Sequence, residues 1–466
     1  MRSVKKRSAP TIFVDPAVFK SYDIRGTVPD QLNADVARLI GRGFAAEIEK
    51  QNIVVGRDMR THSEELTDAL TEGLLESGCS VTDIGMVSTD ALYFAVGHLG
   101  ADGGVMVTAS HNPPEYNGFK MCRENAEPLS GTEGLARIQD SIELDDFLLE
   151  RGRGSVEKKN ILDVFVDHAL TFVDVEKIKP FKVVIDAGNG MGGVVLPRVF
   201  DRIPATHVPL FFEPDGTFPN HPANPIDPNN LKALKKAVKS EKADFGVAFD
   251  GDADRMFLMD EQGEQLGGDM AMLLVIKSML KKNPGATILY NLICSNAVPE
   301  LIEREGGNAL RTPVGHAIIK PMMKKENALF GGEHSGHFYF RDNWYADSGL
   351  IAMLIAMESL SEAEKPVSEL IAGLNPYFRS GEINVKVRNI PKTLDKIVAE
   401  YASQRPDYTD GVTVTFDDWW FNARPSNTEP LLRLNVEAQS AELLEEKTAT
   451  LLKVVKGRRK AAAKKK

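Results

Sequence analysis

The sequence predicts an α/β protein: three related α/β domains with mixed sheets, followed by a smaller α+β C-terminal domain. Three observations lead to this prediction. The chain has 466 residues, which at about 100–200 residues per domain gives three or four domains. A pattern of strand, polar loop and helix occurs three times, and that pattern changes near residue 375.

The repeated unit begins with an apolar strand that leads into a polar loop and then a helix. Strands of this kind lie at 53–56, 183–186 and 288–291. After the first of them, Thr61 and Glu64 predict a capping box at the start of a helix. Because strands alternate with helices, we expect a largely parallel sheet in each unit.

Each unit also has a second strand that ends in a loop of unusual polarity. These strands lie at 105–107, before TASHNP, at 245–249, before DGDADR, and at 328–330, before GGEHSGH. In open α/β sheets, ligands bind beyond the carboxyl ends of the strands. The three polar loops are therefore the first candidates for a functional site.

The C-terminal part of the chain follows a different pattern. It shows an alternating strand at 383–387, strands around 412–422 and 431–436, and helices near 392–403 and 440–456. This pattern predicts a separate α+β domain with its own polar loop, NARPSNTEP. The expected domains are 1–155, 156–258, 259–375 and 376–456, followed by a basic tail at 457–466.

Composition and charge exclude several classes of protein. With 42% hydrophobic and 26% charged residues, the chain is typical of a folded globular protein. Its net charge of -10 gives no overall positive field, so we expect neither nucleic acid nor a membrane as a partner. Cys79, Cys122 and Cys294 form no Cys-x-x-Cys pair, which argues against a disulfide framework or a zinc site and fits a cytoplasmic location. No signal peptide or membrane span is visible.

Three aspartates follow the strand of the second unit. Asp250, Asp252 and Asp254 alternate with small residues, so their carboxylates should face one side of an extended loop. Oxygen ligands at this spacing suit Mg²⁺, which leaves coordination positions for a phosphate oxygen. A calcium loop is the competing interpretation, since Glu261 falls at its last ligand position, but Arg255 stands where that loop needs a glycine. Arg255 is better suited to donate to a phosphate.

The TASHNP loop places Ser110 beside His111 at the end of a strand. A serine hydrolase is one interpretation, but no Gly-x-Ser-x-Gly motif surrounds Ser110, and an adjacent histidine cannot ordinarily act as its base. A serine that accepts a phosphoryl group needs instead a nearby cation to offset developing charge. A metal held by the aspartates would supply that cation.

The segment DAGNGMGG matches a dinucleotide-binding motif, with Gly188, Gly190 and Gly193 after a strand and Asp215 further along. The segment 213–228 is a proline-rich loop, however, and not the end of a second strand. We therefore favour a tight turn over a dinucleotide site.

Two further polar loops carry side chains suited to a sugar and to a phosphate. GGEHSGH has Glu333, Ser335 and His337 at alternate positions, so one extended loop can direct all three at a polyol. RPSNTEP lacks the glycines and lysine of a Walker loop, which gives an ATPase no support. Its phosphate donors would be side chains: Arg424, Ser426, Asn427 and Thr428.

With these loops in this order, the sequence closely resembles the α-D-phosphohexomutases, the family of bacterial phosphomannomutase/phosphoglucomutase enzymes. The resemblance covers the chain apart from its two basic ends. It rests on seven strings: YDIRG at 22–26, TASHNP at 108–113, NGFK at 117–120, DGDADR at 250–255, TPVGH at 312–316, GGEHSGH at 331–337 and RPSNTEP at 424–430.

The resemblance implies an isomerase of the phosphotransferase type, in which each of four domains contributes one loop to a central active-site cleft. Ser110 would be a phosphoserine that binds Mg²⁺ together with Asp250, Asp252 and Asp254. The other catalytic residues would be Arg25, Arg255 and two proton carriers, Lys120 and His316. The sugar and its non-reacting phosphate would be bound by Tyr22, His111, Glu333, Ser335, His337, Arg424, Ser426, Asn427 and Thr428.

The choice of sugar depends on one loop. GGEHSGH is similar to the mannose/glucose branch of the family, and His334 distinguishes it from the GEQSGH of the glucosamine branch. We expect interconversion of the 6-phosphate and 1-phosphate of mannose or glucose, with glucose-1,6-bisphosphate or mannose-1,6-bisphosphate as intermediate and activator. A phosphoglucosamine mutase and a non-catalytic phosphosugar-binding protein remain the alternatives. We expect a monomer or weak homodimer.

Overall fold

The computed structural model of the protein describes residues 12–48, 51–147, 152–426 and 431–456. These residues form four sheets, one of six strands and three of four strands. The first three sheets are mixed and covered by helices, and the fourth is antiparallel. The predicted fold class is confirmed.

The first sheet has the strand order β1-β5-β4-β2-β3-β6. β2, β3, β4 and β6 are parallel, whereas β5 is antiparallel to β4, and β1 to β5. Its elements are β1 (Ile24–Thr27), α1 (Ala34–Ile48), β2 (Asn52–Arg57), α2 (Ser63–Glu76), β3 (Ser80–Met86), α3 (Thr89–His98), β4 (Gly103–Val107), β5 (Tyr116–Arg123), α4 (Gly131–Glu143) and β6 (Val156–Lys158). The first sheet thus continues past residue 155, where we expected the first domain to end.

The second and third sheets have the orders β10-β9-β7-β8 and β12-β11-β13-β14. The second domain contains α5 (Leu162–Leu170), β7 (Lys182–Asp186), α6 (Gly192–Phe200), β8 (Thr206–Leu210), α7 (Lys232–Glu241), β9 (Phe245–Phe249) and β10 (Met256–Met259). The third contains α8 (Gly268–Lys282), β11 (Thr287–Asn291), α9 (Ala297–Arg304), β12 (Asn308–Thr312), α10 (His316–Glu326), β13 (Phe330–Gly332), β14 (Phe338–Phe340), α11 (Gly349–Ala363) and α12 (Val367–Leu374).

The same four-strand arrangement occurs in all three α/β domains. Three parallel strands are followed by an antiparallel strand, giving β3-β2-β4-β5, β8-β7-β9-β10 and β12-β11-β13-β14 across the sheets. In each domain the polar loop connects the third parallel strand to the antiparallel one. The three loops therefore occupy equivalent positions in three repeats of one unit.

The fourth domain is an antiparallel sheet of order β15-β18-β17-β16 with two helices. Its elements are β15 (Phe378–Val385), α13 (Ile390–Glu400), β16 (Val412–Thr415), β17 (Trp419–Pro425), β18 (Leu432–Ala438) and α14 (Ala441–Lys456). The region around 412–422 forms two strands joined by a turn. The polar loop RPSNTEP begins at the end of β17.

Hydrophobic packing differs between the first three domains and the fourth. One hydrophobic cluster runs through the first three domains, and α11 is buried around nearly its whole circumference within it. The fourth domain has its own hydrophobic cluster. Polar contacts join it to the third domain, such as Arg311 Nη1 to Asp407 Oδ2 at 2.9 Å and Asn296 N to Glu437 Oε1 at 2.9 Å.

The predicted capping box at Thr61 and Glu64 is wrong. α2 begins at Ser63, and the side chain of its N-cap residue, His62, makes no capping hydrogen bond. Asp58 Oδ1 instead accepts hydrogen bonds from Arg60 N at 3.0 Å and from Ser63 Oγ at 2.5 Å. The buried Asp58 carboxylate thus binds the turn before α2 and the side chain of its first residue.

Among the residues that the structure describes, no helix combines the length and the apolar character needed to cross a membrane. The domain ranges, the oligomeric state and the cytoplasmic location stay predictions.

Candidate active site

Ser110 lies in the loop between β4 and β5 with little exposure to solvent. Its backbone has a φ of 51°, a left-handed conformation that is uncommon outside glycine. The Thr108 hydroxyl accepts a hydrogen bond from Ser110 N at 2.9 Å and supports this turn. Ser110 Oγ donates to Asp250 Oδ2 at 2.8 Å, so the serine of the first domain touches the acidic loop of the second.

The three aspartates of the acidic loop converge as predicted. Asp250, Asp252 and Asp254 are buried, and one carboxylate oxygen from each lies within 4.8 Å of the others. The loop also approaches Ser110 closely at Gly251, where a Cβ atom would lie 2.5 Å from the Ser110 carbonyl oxygen. Glycine at this position allows the two loops to pack backbone to backbone.

Two buried cations balance the carboxylates. Arg255 donates to Asp250 Oδ2 from Nε at 2.9 Å and from Nη2 at 2.7 Å. Lys120 Nζ, on β5, lies 2.7 Å from Asp252 Oδ2 and 2.5 Å from Asp254 Oδ2. Burial disfavours the ammonium of Lys120, but the two carboxylates outweigh it and hold its pKa well above the ordinary value. Lys120 is therefore charged in this arrangement.

Two carboxylate oxygens of the cluster have no hydrogen-bond donor among the described residues. Asp252 Oδ1 and Asp254 Oδ1 are buried without such a partner, whereas the second oxygens of both residues accept from Lys120. Buried acceptors are nearly always satisfied in folded proteins. Oxygens left open in this way are suitable ligands for a hard divalent cation.

His111 and Arg25 lie around the serine at different distances. His111 Nδ1 is 3.2 Å from Ser110 Oγ and 2.5 Å from Arg255 Nη2. Burial, and then the charge of Arg255, hold the pKa of His111 well below its ordinary value, so the imidazole is neutral. Arg25 donates to Asn112 Oδ1 at 2.6 Å and is joined to the serine loop by that contact.

The loop after β13 reaches the acidic cluster through one histidine. His337 Nε2 lies 3.8 Å from Asp254 Oδ1, and its Nδ1 lies 3.0 Å from Ser335 Oγ. Ser335 and His337 are both partly exposed. The structure thus brings this loop, the acidic loop and the serine loop into one continuous cluster.

Glu333 is more deeply buried than Ser335 and His337 of the same loop. It is 2% exposed, and it accepts hydrogen bonds from Gly315 N at 2.9 Å and from the Tyr339 hydroxyl at 2.8 Å. Gly315 in turn lies under Tyr22, whose hydroxyl would be 2.7 Å from a Cβ atom at that position. Glu333 therefore fixes the TPVGH turn beside Tyr22.

The fourth-domain residues are not joined to the serine cluster by the described contacts. Arg424 is buried and donates to Glu382 Oε2 at 2.9 Å within its own domain. Ser426 N donates to Leu431 O at 2.9 Å. Two of the predicted residues, Asn427 and Thr428, lie outside the described residues, and so does the side chain of His316, whose backbone begins α10.

Arg60 is a residue that the sequence reasoning missed. It is 3% exposed and pairs with Asp58 at 3.2 Å. Its guanidinium donates to four backbone carbonyl oxygens of the serine loop, at 2.6–2.9 Å: those of Ser110, Asn112, Pro113 and Tyr116. In the sequence, Arg60 is marked only by its position shortly after an apolar strand and two residues after Asp58. Arg60 is a positioning residue for the loop that carries Ser110.

Thr89 was also missed. It begins α3, and its hydroxyl donates to Asp252 Oδ2 at 2.5 Å while its backbone N–H donates to Asp252 O at 3.0 Å. The first domain thereby fixes both the side chain and the backbone of this aspartate.

Sequence models of four successive domains match the chain, each described as part of phosphoglucomutase/phosphomannomutase. The alpha/beta/alpha domains I, II and III match residues 16–148, 163–263 and 267–377, and the C-terminal domain matches residues 382–453.

Relatives are similar along nearly the whole chain. A protein described as phosphohexose mutases, from Xanthomonas campestris pv. campestris, is 42% identical over 443 residues, covering 94% of this chain and 99% of the relative. The phosphomannomutase of Escherichia coli K12 is 42% identical over 445 residues, covering 93% and 98%. A crystal structure of a phosphoglucomutase/phosphomannomutase family protein from Burkholderia thailandensis superposes with a TM-score of 0.87 at 34% identity, covering 96% of this chain and 99% of that one.

We predict that Arg60→Lys loosens the serine loop while the sheet stays intact. A lysine keeps the positive charge beside Asp58 but cannot reach four carbonyls, so one or two charge-assisted bonds of roughly 1.5–3 kcal/mol are lost. Hydrogen exchange of the amides in 108–116, measured by mass spectrometry, should become about 10- to 100-fold faster. Arg57→Lys is the control, since Arg57 meets only the exposed Glu64 at 3.7 Å among the ion pairs of the described residues. Equal exchange in both variants would contradict the role assigned to Arg60.

Proposed function

Because the chain belongs to the phosphoglucomutase/phosphomannomutase family, we propose that it interconverts the 1-phosphate and the 6-phosphate of mannose, and those of glucose, with Ser110 as the phosphoryl carrier. The family relatives make it an isomerase of the phosphotransferase type. The observation that carries the finer proposal is the contact of Ser110 Oγ, on the first domain, with the acidic loop and Arg255 of the second.

The proposed reaction consists of two phosphoryl transfers in opposite directions. In the first, the bond from Ser110 Oγ to phosphorus breaks while a bond from a sugar hydroxyl oxygen to phosphorus forms; a base takes the hydroxyl proton, and Ser110 Oγ receives a proton. The resulting hexose 1,6-bisphosphate reorients in the cleft. In the second transfer, Ser110 Oγ gives up its proton and takes the other phosphoryl group, and the released sugar oxygen receives a proton.

Cationic side chains favour these transfers because charge develops on the transferring oxygens. Arg255 Nη2 lies 3.3 Å from Ser110 Oγ, which is close enough to donate to a phosphoryl group there. Lys120 and His316 remain our proposed proton carriers. Because Lys120 is an ammonium paired with Asp252 and Asp254, we assign it the role of proton donor.

Asp250, Asp252 and Asp254 would hold Mg²⁺ together with the phosphate on Ser110. The fit is supported by their convergence and by the open oxygens of Asp252 and Asp254. When bound, the ion would offset negative charge on the transferring phosphoryl group. Thr89 and Lys120 hold the other oxygen of Asp252, so the carboxylate is oriented before a ligand arrives.

The sugar would be recognised through hydroxyl groups that occupy similar places in both orientations, those at positions 3 and 4. Ser335 is partly exposed next to His337, and it can exchange hydrogen bonds with a polyol. Glu333 keeps lone pairs beyond those used by Gly315 and Tyr339, since a carboxylate offers about four acceptor positions. Arg424, Ser426, Asn427 and Thr428 would bind the non-reacting phosphate.

We predict that Ser110→Ala lowers kcat/KM by at least about 10³-fold, as expected for removal of a positioned nucleophile. Intact-mass analysis of the wild type should show covalent phosphate, which rises after incubation with glucose-1,6-bisphosphate and is absent from the variant. Ser77→Ala is the matched control, because Ser77 is an equally buried serine of the same domain that bonds only Gly73 O among the described side-chain contacts. Phosphate retained in Ser110→Ala, with activity, would overturn the assignment.

We also predict that Asp254→Asn weakens binding of Mn²⁺, used as a spectroscopic substitute for Mg²⁺, by at least about 10-fold, since loss of one anionic oxygen ligand weakens a hard-cation site. Electron paramagnetic resonance of free Mn²⁺ measures this without any assay of turnover. Asp186→Asn should bind as the wild type does, because Asp186 is a buried strand-end aspartate of the same domain that bonds His221 and Gly188 and stands outside the cluster. The same affinity in all three proteins would exclude this cluster as the metal site.

The proposed recognition of positions 3 and 4 predicts weak discrimination between epimers at position 2. A site without a committed hydrogen bond there loses about 1–3 kcal/mol at most for the wrong epimer, so kcat/KM for mannose 1-phosphate and glucose 1-phosphate should agree within about 100-fold. Ser335→Ala should lower both values by a similar factor, whereas Ser240→Ala, at an exposed serine of α7, should change neither. Coupled assays that include glucosamine 1-phosphate test this, and a Ser335→Ala enzyme that loses only one epimer would contradict it.

A further inference from the structure

We propose that a cavity between the first and third domains is a second ligand site, which binds a nucleoside phosphate. The cavity holds about 500 Å³ and lies against residues 125–128, which follow β5, on one side. On the other side it is lined by α10 and by the turn at 341–345. Cavities of this size accommodate small organic ligands, and sites of this kind often lie at domain interfaces.

Four cations line the cavity: Lys320, Lys324, Lys325 and Arg341. The last three are paired with carboxylates that are 40–61% exposed: Lys324 with Glu127 at 2.7 Å, across the two domains, Lys325 with Glu326 at 3.2 Å, and Arg341 with Asp342 at 2.9 Å. Ion pairs exposed to solvent are weak, so a phosphate can compete for these three cations. It could take over the donor that Lys324 directs at Glu127 and the planar fork of Arg341, which suits phosphate oxygens.

The remaining surface offers aromatic rings. Trp344 and Tyr345 follow each other in the lining. Trp344 is held in place from behind, because a Cβ atom at Gly97 would lie 2.3 Å from its ring and the Phe94 ring centroid is 6.0 Å away. A flat base can stack on a ring that is fixed in this way without ordering the ring first.

The backbone of both walls is unusual at the same place. Asn125 and Ala126 on one wall have φ values of 58° and 55°, and Trp344 and Tyr345 on the other have 53° and 58°. Non-glycine residues in this left-handed region are uncommon, and they concentrate at sites where a ligand is bound. Two consecutive pairs that face one cavity support a binding role for it.

A nucleoside phosphate fits these features better than a sugar phosphate does. A polyol is recognised through many hydrogen bonds, yet the cavity has one carboxylate, and that group is paired with Lys324. Rings and cations together suit a base linked to phosphates. The inference does not depend on the reaction proposed above, since none of these residues belongs to the Ser110 cluster.

The cavity nevertheless adjoins that cluster through one side chain. Lys320 lines the cavity, is 3% exposed, and places Nζ 2.6 Å from Asp347 Oδ1. Ligand atoms of Asp347, Asp254 and His337 lie within 4.8 Å of one another. A ligand that contacts Lys320 would therefore be connected to Asp254 of the acidic loop through the side chains of Lys320 and Asp347.

The test is isothermal titration of the full chain with adenosine diphosphate and with pyrophosphate, both in EDTA. Adenosine diphosphate should bind at least about 10-fold more tightly than pyrophosphate, because pyrophosphate lacks the base. Lys324→Ala should weaken adenosine diphosphate about 10-fold. Lys281→Ala is the matched control and should bind as the wild type does: Lys281 is also in the third domain, is 64% exposed against 61% for Lys324, and pairs with Glu362 at 2.8 Å.

A second variant separates stacking from charge. Tyr345→Leu keeps an apolar side chain but removes the ring, so it should weaken adenosine diphosphate at least about fivefold while leaving pyrophosphate unchanged. The proposal is overturned if pyrophosphate binds as tightly as adenosine diphosphate, if Lys324→Ala binds like the wild type, or if adenosine diphosphate does not bind at millimolar concentration.

Discussion

The ion pairs between Lys120 and the acidic loop are the constraint on which the geometry of the candidate site depends. Lys120 lies on β5 of the first domain, and its ammonium contacts Asp252 and Asp254 of the second at 2.7 and 2.5 Å. Burial of an unpaired charge is costly, and removing one member of a buried pair leaves the other charge without a partner. The two domains therefore cannot separate without exposing carboxylates and an ammonium together. The close approach of Gly251 to Ser110, and the bonds from Thr89 to Asp252, are possible because that network keeps the loops in contact.

Repetition of one unit explains why residues far apart in sequence converge. In each α/β domain, the polar loop joins the third parallel strand to the antiparallel fourth, so each loop leaves its sheet at the same edge. Packing the three domains around α8 and α11 then directs these edges toward a common region. The serine loop, the acidic loop and the loop with His337 meet there, and each supplies a different function: a hydroxyl, carboxylates, and polar groups for a polyol. The three loops thus occupy equivalent positions in the sheets but carry different functional groups.

The sequence predicted the fold class and the loops because both depend on local pattern. Apolar strands followed by polar residues are visible in a single pass, and so is the alternation of three aspartates. Arg60 could not be found in this way, because its four acceptors are backbone carbonyls 50 or more residues further along, and any residue type supplies a carbonyl. The capping box failed for a related reason: Ser63 N, at the start of α2, donates to the backbone carbonyl of Arg60, which the sequence pattern does not reveal. The spacing of GGEHSGH also did not indicate that Glu333 accepts hydrogen bonds from Gly315 N and from the Tyr339 hydroxyl, in addition to the sugar contact that we propose for it.

The fourth domain is attached in a way that suits the reorientation required by the proposed reaction. Its hydrophobic cluster is separate from that of the first three domains, and contacts such as Arg311 with Asp407 and Val314 N with Asp410 hold it to the third. Polar interfaces of this type break at lower cost than a shared apolar core, since water can replace each lost hydrogen bond. For the bisphosphate to reorient, one wall of the site must move away from it while the wall that transfers the phosphoryl group stays fixed. The hydrophobic core shared by the first three domains keeps the wall that carries Ser110 in place. The polar contacts of the fourth domain allow the wall that carries Arg424 to move.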